Sequence, residues 1–490
     1  MGSRTVKADR QVGVTKKRSE NRHRLCVGVV GSLIAFVIAP VARAETLDSA
    51  LARAYQNNPN LNAQRANVRA TDENVPRAKA GFRPEVNATA DLIGRYSESN
   101  PDRGRATQVR SGSQSLGVEV NQTLFNGFRT ENSVRQAESN VLGARETLRN
   151  NEQNVLFDSA SAYMNVLRDT AILNLQRNNV EVIEEQLRQT QERFNVGEVT
   201  RTDVAQAEAR LAGSRSQVSV AEANLRASIA RYRQNIGVEP RQLSPGRPLD
   251  RILPRSLDDA LRIAFIEHPA LIAALHGVDV AELQVRIVEG ELAPTLGLTG
   301  SASWTNTNSN RGRFAADNTD SGNGSGEVTS ASIVARLTIP IYERGEVAAR
   351  TRQSKETVGQ RRLEADSIRD QVRAAVISSW GQLEASRSQV TAAQAQVEAA
   401  ETALSGVREE ARVGQRTTLD VLNAQQELLN ARVNLITAQR DRVVASYAVV
   451  QASGRLNSRY LGLGVEHYRP KLHFDQVKDL WHGLTTPDGR

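Results

Sequence analysis

Two stretches of eleven residues decide the fold of this chain: Phe194-Asn195-Val196-Gly197-Glu198-Val199-Thr200-Arg201-Thr202-Asp203-Val204 and Ala411-Arg412-Val413-Gly414-Gln415-Arg416-Thr417-Thr418-Leu419-Asp420-Val421. Each has a glycine where one helix can end and a threonine where the next can begin. Glycine adopts the left-handed backbone that closes a helix, and a threonine hydroxyl caps the first turn of the following one. Taken alone, each stretch predicts a turn between two antiparallel helices.

The repetition of these turns extends over most of the chain. Thr46-Leu47-Asp48-Ser49-Ala50-Leu51 is echoed by Ser256-Leu257-Asp258-Asp259-Ala260-Leu261, and Pro84 by Pro294, all 210 residues apart, whereas the two turns are 217 residues apart. Insertions accumulate where a chain is exposed, so the extra seven residues predict surface loops near 97–114 and 305–330. We expect a first repeat over 45–255, a second over 256–459 and a tail over 460–490.

Each turn lies inside a long stretch without proline, one between Phe128 and Glu239 and the other between Ile341 and Arg469. Proline breaks helices, so these stretches predict helical hairpins over about 128–237 and about 345–454. Apolar residues in the first stretch recur about every 3.5 positions, which is typical of helices that pack along narrow seams. The first helix alone would be roughly 100 Å long at about 1.5 Å per residue.

Four shorter segments alternate apolar and polar residues and predict strands at about 84–97, 115–125, 294–304 and 331–342. A soluble antiparallel sheet with one wet face is the commoner explanation of any single segment of this kind. However, these segments are about ten residues long, the length that crosses a bilayer at a tilt, and polar loops join them in pairs. No other stretch after the amino terminus reads as a membrane-spanning helix.

Four strands cannot close a barrel by themselves, and an open edge in lipid leaves backbone groups unsatisfied. Two copies would give eight strands around a filled interior, whereas three would give twelve around an open lumen. Polar residues expected inside, including Glu119 and Arg336, favour three copies. The predicted fold is therefore mainly α, with long antiparallel hairpins forming an α-barrel and four strands per chain contributing to a twelve-stranded, trimeric β-barrel.

The amino terminus has the pattern of an export signal over residues 1–44: basic residues, an apolar run over 25–38, and Ala42-Arg43-Ala44 as the cleavage site. Without this segment the chain carries 54 Lys and Arg against 53 Asp and Glu, a net charge of +1. Nucleic-acid binding is therefore not expected, because it needs a concentrated cationic face. The single cysteine, Cys26, belongs to the signal, so no disulfide is expected.

No sequence pattern indicates an enzyme. The histidines lack metal-ligand spacing, and there is no phosphate-binding glycine loop or nucleophile elbow. We therefore expect no catalytic residues, no cofactor and no metal. A soluble periplasmic coiled-coil or adhesin-like protein is the alternative to a channel, but it would not explain the four amphipathic strands.

From Glu45 to about Trp481 the sequence resembles the TolC family of outer-membrane channel proteins. The resemblance rests on the duplicated order of strand, loop, strand and helical hairpin together with the two turn stretches. It implies a homotrimer in the outer-membrane lipid with a long periplasmic extension. It also implies that the tunnel is a passive exit duct, which a periplasmic adaptor connects to an inner-membrane transporter for type I protein secretion or drug efflux. The cargo is left open.

The resemblance also implies two sets of functional residues around the turns. The adaptor-docking tips would be Val196, Gly197, Thr200, Val413, Gly414 and Thr417. The periplasmic gate, or constriction, would comprise Thr202, Asp203, Arg416, Asp420 and Asn423, with Arg416 reaching toward Thr202 and Asp203 of a neighbouring helix pair.

The chain departs from the family pattern at two gate positions. Asn423 stands where a second acid is common, and Ala411 stands where an aromatic latch residue is usual, so we expect weaker cation binding and a less tightly held closed state. An alternative for Asp203 and Asp420 is that both are ordinary first-turn acids favoured by the helix dipole. The tail is expected to form a short amphipathic helix that packs on the outside of the conduit.

Overall fold

A computed structural model of the chain describes residues 45–99, 107–313, 323–487 and 489. The expected export signal, residues 1–44, lies outside the described residues. In the described part, helices and strands follow one another in the same order in each half.

The first half contains α1 (Leu47–Asn57), α2 (Pro59–Asp72), α3 (Asn74–Lys79), β1 (Glu85–Ser99), β2 (Thr107–Asn126), α4 (Arg129–Asn195) and α5 (Arg201–Ile236). The second contains α6 (Leu257–Glu267), α7 (Pro269–Glu289), β3 (Thr295–Arg313), β4 (Asn323–Thr338), α8 (Glu346–Arg412) and α9 (Thr418–Ala452), and the tail contains α10 (Pro470–Val477). The halves differ where α2 ends and α3 begins, because Pro76 has no N–H to bond the carbonyl of Asp72. The corresponding α7 has no internal proline and runs unbroken.

The long helices α4 and α8 have 67 residues each, and each packs antiparallel against the helix that follows it. Ala137 and Val141, in the part of α4 nearest the sheet, form a small buried cluster with Val75 of α3. The largest buried cluster joins α1, α4, α5 and α9, and it contains three fully or almost fully buried tyrosines: Tyr163, Tyr232 and Tyr447. The Tyr163 hydroxyl lies 2.7 Å from the Glu45 carbonyl oxygen and 2.6 Å from that of Ser244, so it ties the amino terminus and the inter-repeat segment to α4.

The four strands form one antiparallel sheet in the order β1-β2-β3-β4, so the two halves of the chain meet at the β2–β3 pair. The register aligns the apolar residues of all four strands on one face. Two of the resulting rows are Val86, Val120, Gly300 and Ile333, and Ala88, Val118, Ala302 and Ala331. Polar residues line up on the other face, where the hydroxyls of Ser301 and Ser332 lie 2.9 Å apart.

The strands do not end where the alternation predicted. Strand pairing extends through three polar segments that the sequence assigns to loops: 107–114, 305–313 and 323–329. The reason is that backbone hydrogen bonds continue through polar residues once the register is set. In contrast, β4 ends at Thr338 instead of near residue 342, because Pro340 cannot donate to a neighbouring strand. The links 100–106 and 314–322 lie outside the described residues.

One helical stretch, Leu257–Leu292, is long and apolar enough to cross a membrane by length and composition. This corrects the expectation that no such stretch follows the amino terminus. The stretch is interrupted at Pro269, which begins α7, and α7 packs between α4 and α8. This packing buries part of its apolar residues, among them Leu271, Ala281 and Val285.

The strands pass into the helices through a tight junction. Gly127, at φ 68°, comes so close to Gly290 that a Cβ on it would lie 2.3 Å from the Gly290 carbonyl oxygen. Only glycine satisfies both the left-handed backbone and this contact. The junction fixes the direction in which α4 leaves the sheet.

Candidate functional site

The two turns between the long helices have nearly the same backbone geometry. Gly197 and Gly414 both have φ of +82°, and the residues after them, Glu198 and Gln415, donate back to carbonyls in the last helical turn at 2.9 Å. This is the Schellman arrangement that closes a helix with a left-handed glycine. The sequence prediction of a helix end at each glycine is confirmed.

The helix that follows each turn begins with a capping box. The Thr200 N–H and hydroxyl donate to Asp203 Oδ2 at 2.9 and 2.7 Å, and the Asp203 N–H donates back to the Thr200 hydroxyl oxygen. Thr417 and Asp420 repeat the arrangement at 3.0 and 2.9 Å. Both aspartates are thus first-turn acids that cap their helices, and their place in the gate stays a prediction.

These hydrogen bonds make both carboxylates stronger acids. The side-chain hydroxyl of Thr200, followed by its backbone N–H, holds the pKa of Asp203 below its ordinary value. For Asp420 the backbone N–H of Thr417 has the largest effect on the pKa, and Arg416 adds a smaller one. All of the capping bonds use Oδ2, so the cap leaves Oδ1 of each aspartate available to another group.

Arg416 lies across its own turn. Its Nε donates to Glu410 Oε2 at 2.8 Å, and this pair is exposed. Within this chain the predicted contact of Arg416 with Thr202 and Asp203 does not form, since Asp203 bonds Thr200 and Thr202 is exposed on the first turn of α5. A contact between neighbouring chains stays a prediction.

A polar bond that the sequence did not predict joins the two hairpins close to the turns. Arg210 of α5 donates to Asn423 Oδ1 of α9 at 2.8 Å. Asn423 is one helical turn beyond Asp420, and Arg210 is two turns beyond Asp203. At position 423, where a second acid is common in the family pattern, the chain thus has a neutral acceptor that binds an arginine of the other hairpin. No local motif marked Arg210, because its partner is 213 residues away.

Ala411 has a structural role in the second hairpin. It packs against the buried cluster of Leu404, Val421 and Leu428, where α8 and α9 meet near the turn. An aromatic ring at this position would have to leave the seam or displace these side chains. Ala411 is thus part of a close-packed hairpin end.

The tips themselves are exposed. Val196 and Val413 expose about 70% of their surfaces, at 73% and 71%. Because these two apolar side chains are at matching positions of matching turns, the tips are a candidate contact surface.

Comparison with known proteins agrees with this architecture. The sequence profile of the family described as outer membrane efflux protein matches residues 50–238 and 260–455. The chain is 44% identical to the outer membrane efflux protein BepC of Brucella suis biovar 1 (strain 1330), over 92% of this chain and 94% of that protein. It is 27% identical to the outer membrane protein TolC of Escherichia coli (strain K12), over 86% of this chain and 84% of that protein.

Among solved structures, the fold is similar to that of the CmeC outer membrane channel of Campylobacter jejuni. The TM-score is 0.72 at 16% identity, over 88% of this chain and 89% of that one.

Proposed function

Because the chain belongs to the outer membrane efflux protein family, it is a channel protein of the outer membrane, and we propose that three copies form one continuous exit duct. The four strands of each copy would contribute to a twelve-stranded barrel, and the helical hairpins would form the periplasmic tunnel below it. Family and fold contradict the alternative of a soluble periplasmic coiled-coil or adhesin-like protein.

One observation carries this proposal: an apolar-faced sheet with two unpaired edges. Among the described residues, β1 and β4 each pair with a single neighbour. The apolar rows extend from Leu296 to Trp304 in β3, about 27 Å at about 3.4 Å per residue, which suits the apolar band of a tilted membrane strand. An open edge in lipid is prohibitively costly, so other copies must close the sheet.

The exposed turns are the proposed docking tips for a periplasmic adaptor. Val196 and Val413 supply apolar contacts, while Gly197, Gly414, Thr200 and Thr417 fix the shape on which those side chains are presented. An inner-membrane transporter reached through the adaptor would supply the energy, and the duct itself would conduct passively.

The gate is proposed to lie just above these tips. Asp203 and Asp420 would each offer the Oδ1 atom that the cap leaves unused. Arg416 would release its exposed partner Glu410 and bind Thr202 and Asp203 of a neighbouring chain. Exposed ion pairs are weak enough for such an exchange. The Arg210–Asn423 bond would hold the second hairpin against the first while the gate is closed.

Membrane fractionation and mass measurement test the assembly. The native protein is expected in the outer-membrane fraction and, after detergent extraction, as a complex with three times the monomer mass. Conductance in planar lipid bilayers would show the open path. A soluble monomer would refute the proposal.

The cargo is tested separately. The matched family and BepC are described as outer membrane efflux proteins, and we propose small molecules as the cargo of this duct. Deleting the gene should increase sensitivity to detergents and dyes, and expression of the protein should restore resistance. A loss of secreted proteins with unchanged sensitivity would instead assign the duct to protein secretion.

A further inference from the structure

The carboxy-terminal tail is firmly docked on the first half of the chain. In α10, His473 Nδ1 lies 3.0 Å from Asp72 Oδ2 of α2, and both side chains are buried. Phe474 packs beneath the Arg145 guanidinium of α4, whose carbon is 5.0 Å from the ring centre, and Val477 is fully buried. These contacts fix where the chain leaves α10.

The residues after α10 are tied to the foot of the first strand. Lys79 Nζ lies 2.7 Å from Asp479 Oδ1, and Arg83 donates to the Leu480 carbonyl oxygen at 2.7 Å. The Arg83 guanidinium also lies over the Trp481 ring, 4.7 Å from its centre. Arg83 is two residues before β1 begins, so Trp481 is held at the end of the sheet nearest the helices.

The segment before β1, to which the tail is tied, reaches the apolar side of the sheet. Gln122 of β2, which shares a face with Val118 and Val120, donates to the Phe82 carbonyl oxygen at 3.1 Å. The turn that holds Trp481 therefore lies along the margin of the apolar face. It is continuous with the surface that meets the membrane in the proposed function.

The tail presents apolar side chains at this margin instead of burying them. Trp481 exposes 69% of its surface, Leu480 exposes 46%, and Leu484 is fully exposed. Phe82 and Phe128 are exposed at the same end of the sheet, where strands and helices join. An indole ring beside lysine and arginine is the combination that settles at the boundary between acyl chains and headgroups.

We propose that the segment from Leu480 to Leu484 is an interfacial anchor that inserts into the phospholipid leaflet on the periplasmic side of the outer membrane. The inference rests on the proposed insertion of the sheet. The segment would seat Trp481 at the level of the headgroups, with Lys79 and Arg83 beside it. It would fix the depth at which the barrel sits in the bilayer.

The three tryptophans of the chain make a direct test possible. Trp304 lies on the apolar face of β3 in one row with Ala90 and Leu116, Trp481 is the proposed anchor, and Trp380 is half-buried among the helices of the second hairpin. Full-length variants that retain one tryptophan each, with phenylalanine at the other two positions, are reconstituted into vesicles of phosphatidylcholine brominated high on its acyl chains.

Bromine is expected to quench Trp304 and Trp481 and to leave Trp380 unaffected. Quenching of Trp304 without Trp481 would overturn the anchor and leave the membrane-inserted sheet standing. Absence of quenching at Trp304 would contradict the proposed function itself.

A second pair of variants separates anchoring from accidental proximity to lipid. In the background that retains only Trp481, Lys79→Ala with Arg83→Ala removes the two ties and should reduce the quenching of Trp481. Lys471→Ala, at an exposed lysine of α10 that does not tie the tail to the strand, is the matched control and should leave the quenching unchanged. Equal quenching in all three proteins would contradict the role of the ties.

Discussion

Asn423 shows how a single residue can change the chemistry of a site through a distant partner. An acid at this position would add charge next to Asp420, whereas the amide accepts a bond from Arg210 and, in the proposed trimer, would leave one charged ring instead of two. The bond is between exposed side chains, so it is weak enough to form and break. If the proposed gate exists, this pair would help to hold its closed state.

Arg210→Ala is expected to loosen the gate, because it removes the polar bond between the hairpins near the tips. Cells expressing the variant should become more permeable to a large antibiotic that the closed channel excludes, with unchanged protein levels. Arg215→Ala is the matched control, since Arg215 is on the same helix and its ion pair with Glu184, at 2.7 Å, lies inside its own hairpin. Equal permeability of the two variants would argue against the latch.

The burial of Tyr163 predicts that the folded protein loses stability at alkaline pH. Burial raises the pKa of this tyrosine to about 12 from an ordinary value of 10.0. The folded chain therefore keeps the hydroxyl neutral while the unfolded chain ionises, so the stability it contributes is present below pH 10.0 and decreases as the pH rises toward about 12. Thermal unfolding of the detergent-solubilised protein should show this decrease.

Tyr163→Phe supplies the comparison. At neutral pH the variant should be less stable by about 1 kcal/mol, because it loses a buried hydrogen bond. Its further decrease between pH 10.0 and 12 should be shallower than that of the native protein. Parallel pH profiles would show that Tyr163 does not contribute.

At the level of elements, the hairpin ends are defined by complete caps on both sides of each turn. The left-handed glycine closes the first helix, and the threonine and aspartate open the second. Because both hairpins use the same device, the two tips have the same shape although their exposed side chains differ. The two halves can thus present equivalent contact surfaces.

Thr417→Ala should fray the start of α9, since capping threonines contribute about 1 kcal/mol. Hydrogen exchange of the first-turn amides, including that of Asp420, should be faster by roughly five-fold. Thr418→Ser, at the next position, keeps a hydroxyl and the cap and serves as the control. Unchanged exchange in Thr417→Ala would mean that the cap does not limit opening there.

At the level of the whole molecule, the proposed assembly depends on the unpaired edges of the sheet. If three copies close one barrel, β4 of one copy lies beside β1 of the next, with the apolar face outward. Ala88 in β1 and Ala331 in β4 are in the same row of the sheet and supply the positions to test this.

A variant with both Ala88→Cys and Ala331→Cys should give disulfide-linked ladders that end at three chains, because three copies close the ring. The sequence after residue 44 contains no other cysteine, so each disulfide must join introduced residues. Val118→Cys with Ala302→Cys, paired directly within one chain, should give only monomers. Combining Ala88→Cys with Ile333→Cys, two residues further along β4, tests for a shift in the register between copies. Ladders that extend beyond three chains would refute the trimer.

The sequence by itself determined the elements of this protein. The glycine-to-threonine turns, the proline-free stretches and the alternating segments follow local rules of backbone conformation, so the hairpins and four strands could be placed within a few residues at most ends. The two threonine–aspartate caps were also readable, because their partners are three residues apart.

Only the tertiary structure decided the β2–β3 pairing, the extension of the strands through polar residues, the Arg210–Asn423 bond, the pairing of Arg416 with Glu410 and the docking of the tail at Arg83. Most of these join residues far apart in sequence, and their register depends on the packing of whole helices and strands. Local propensity carries no information about such partners, because the contact exists only after distant segments have been brought together.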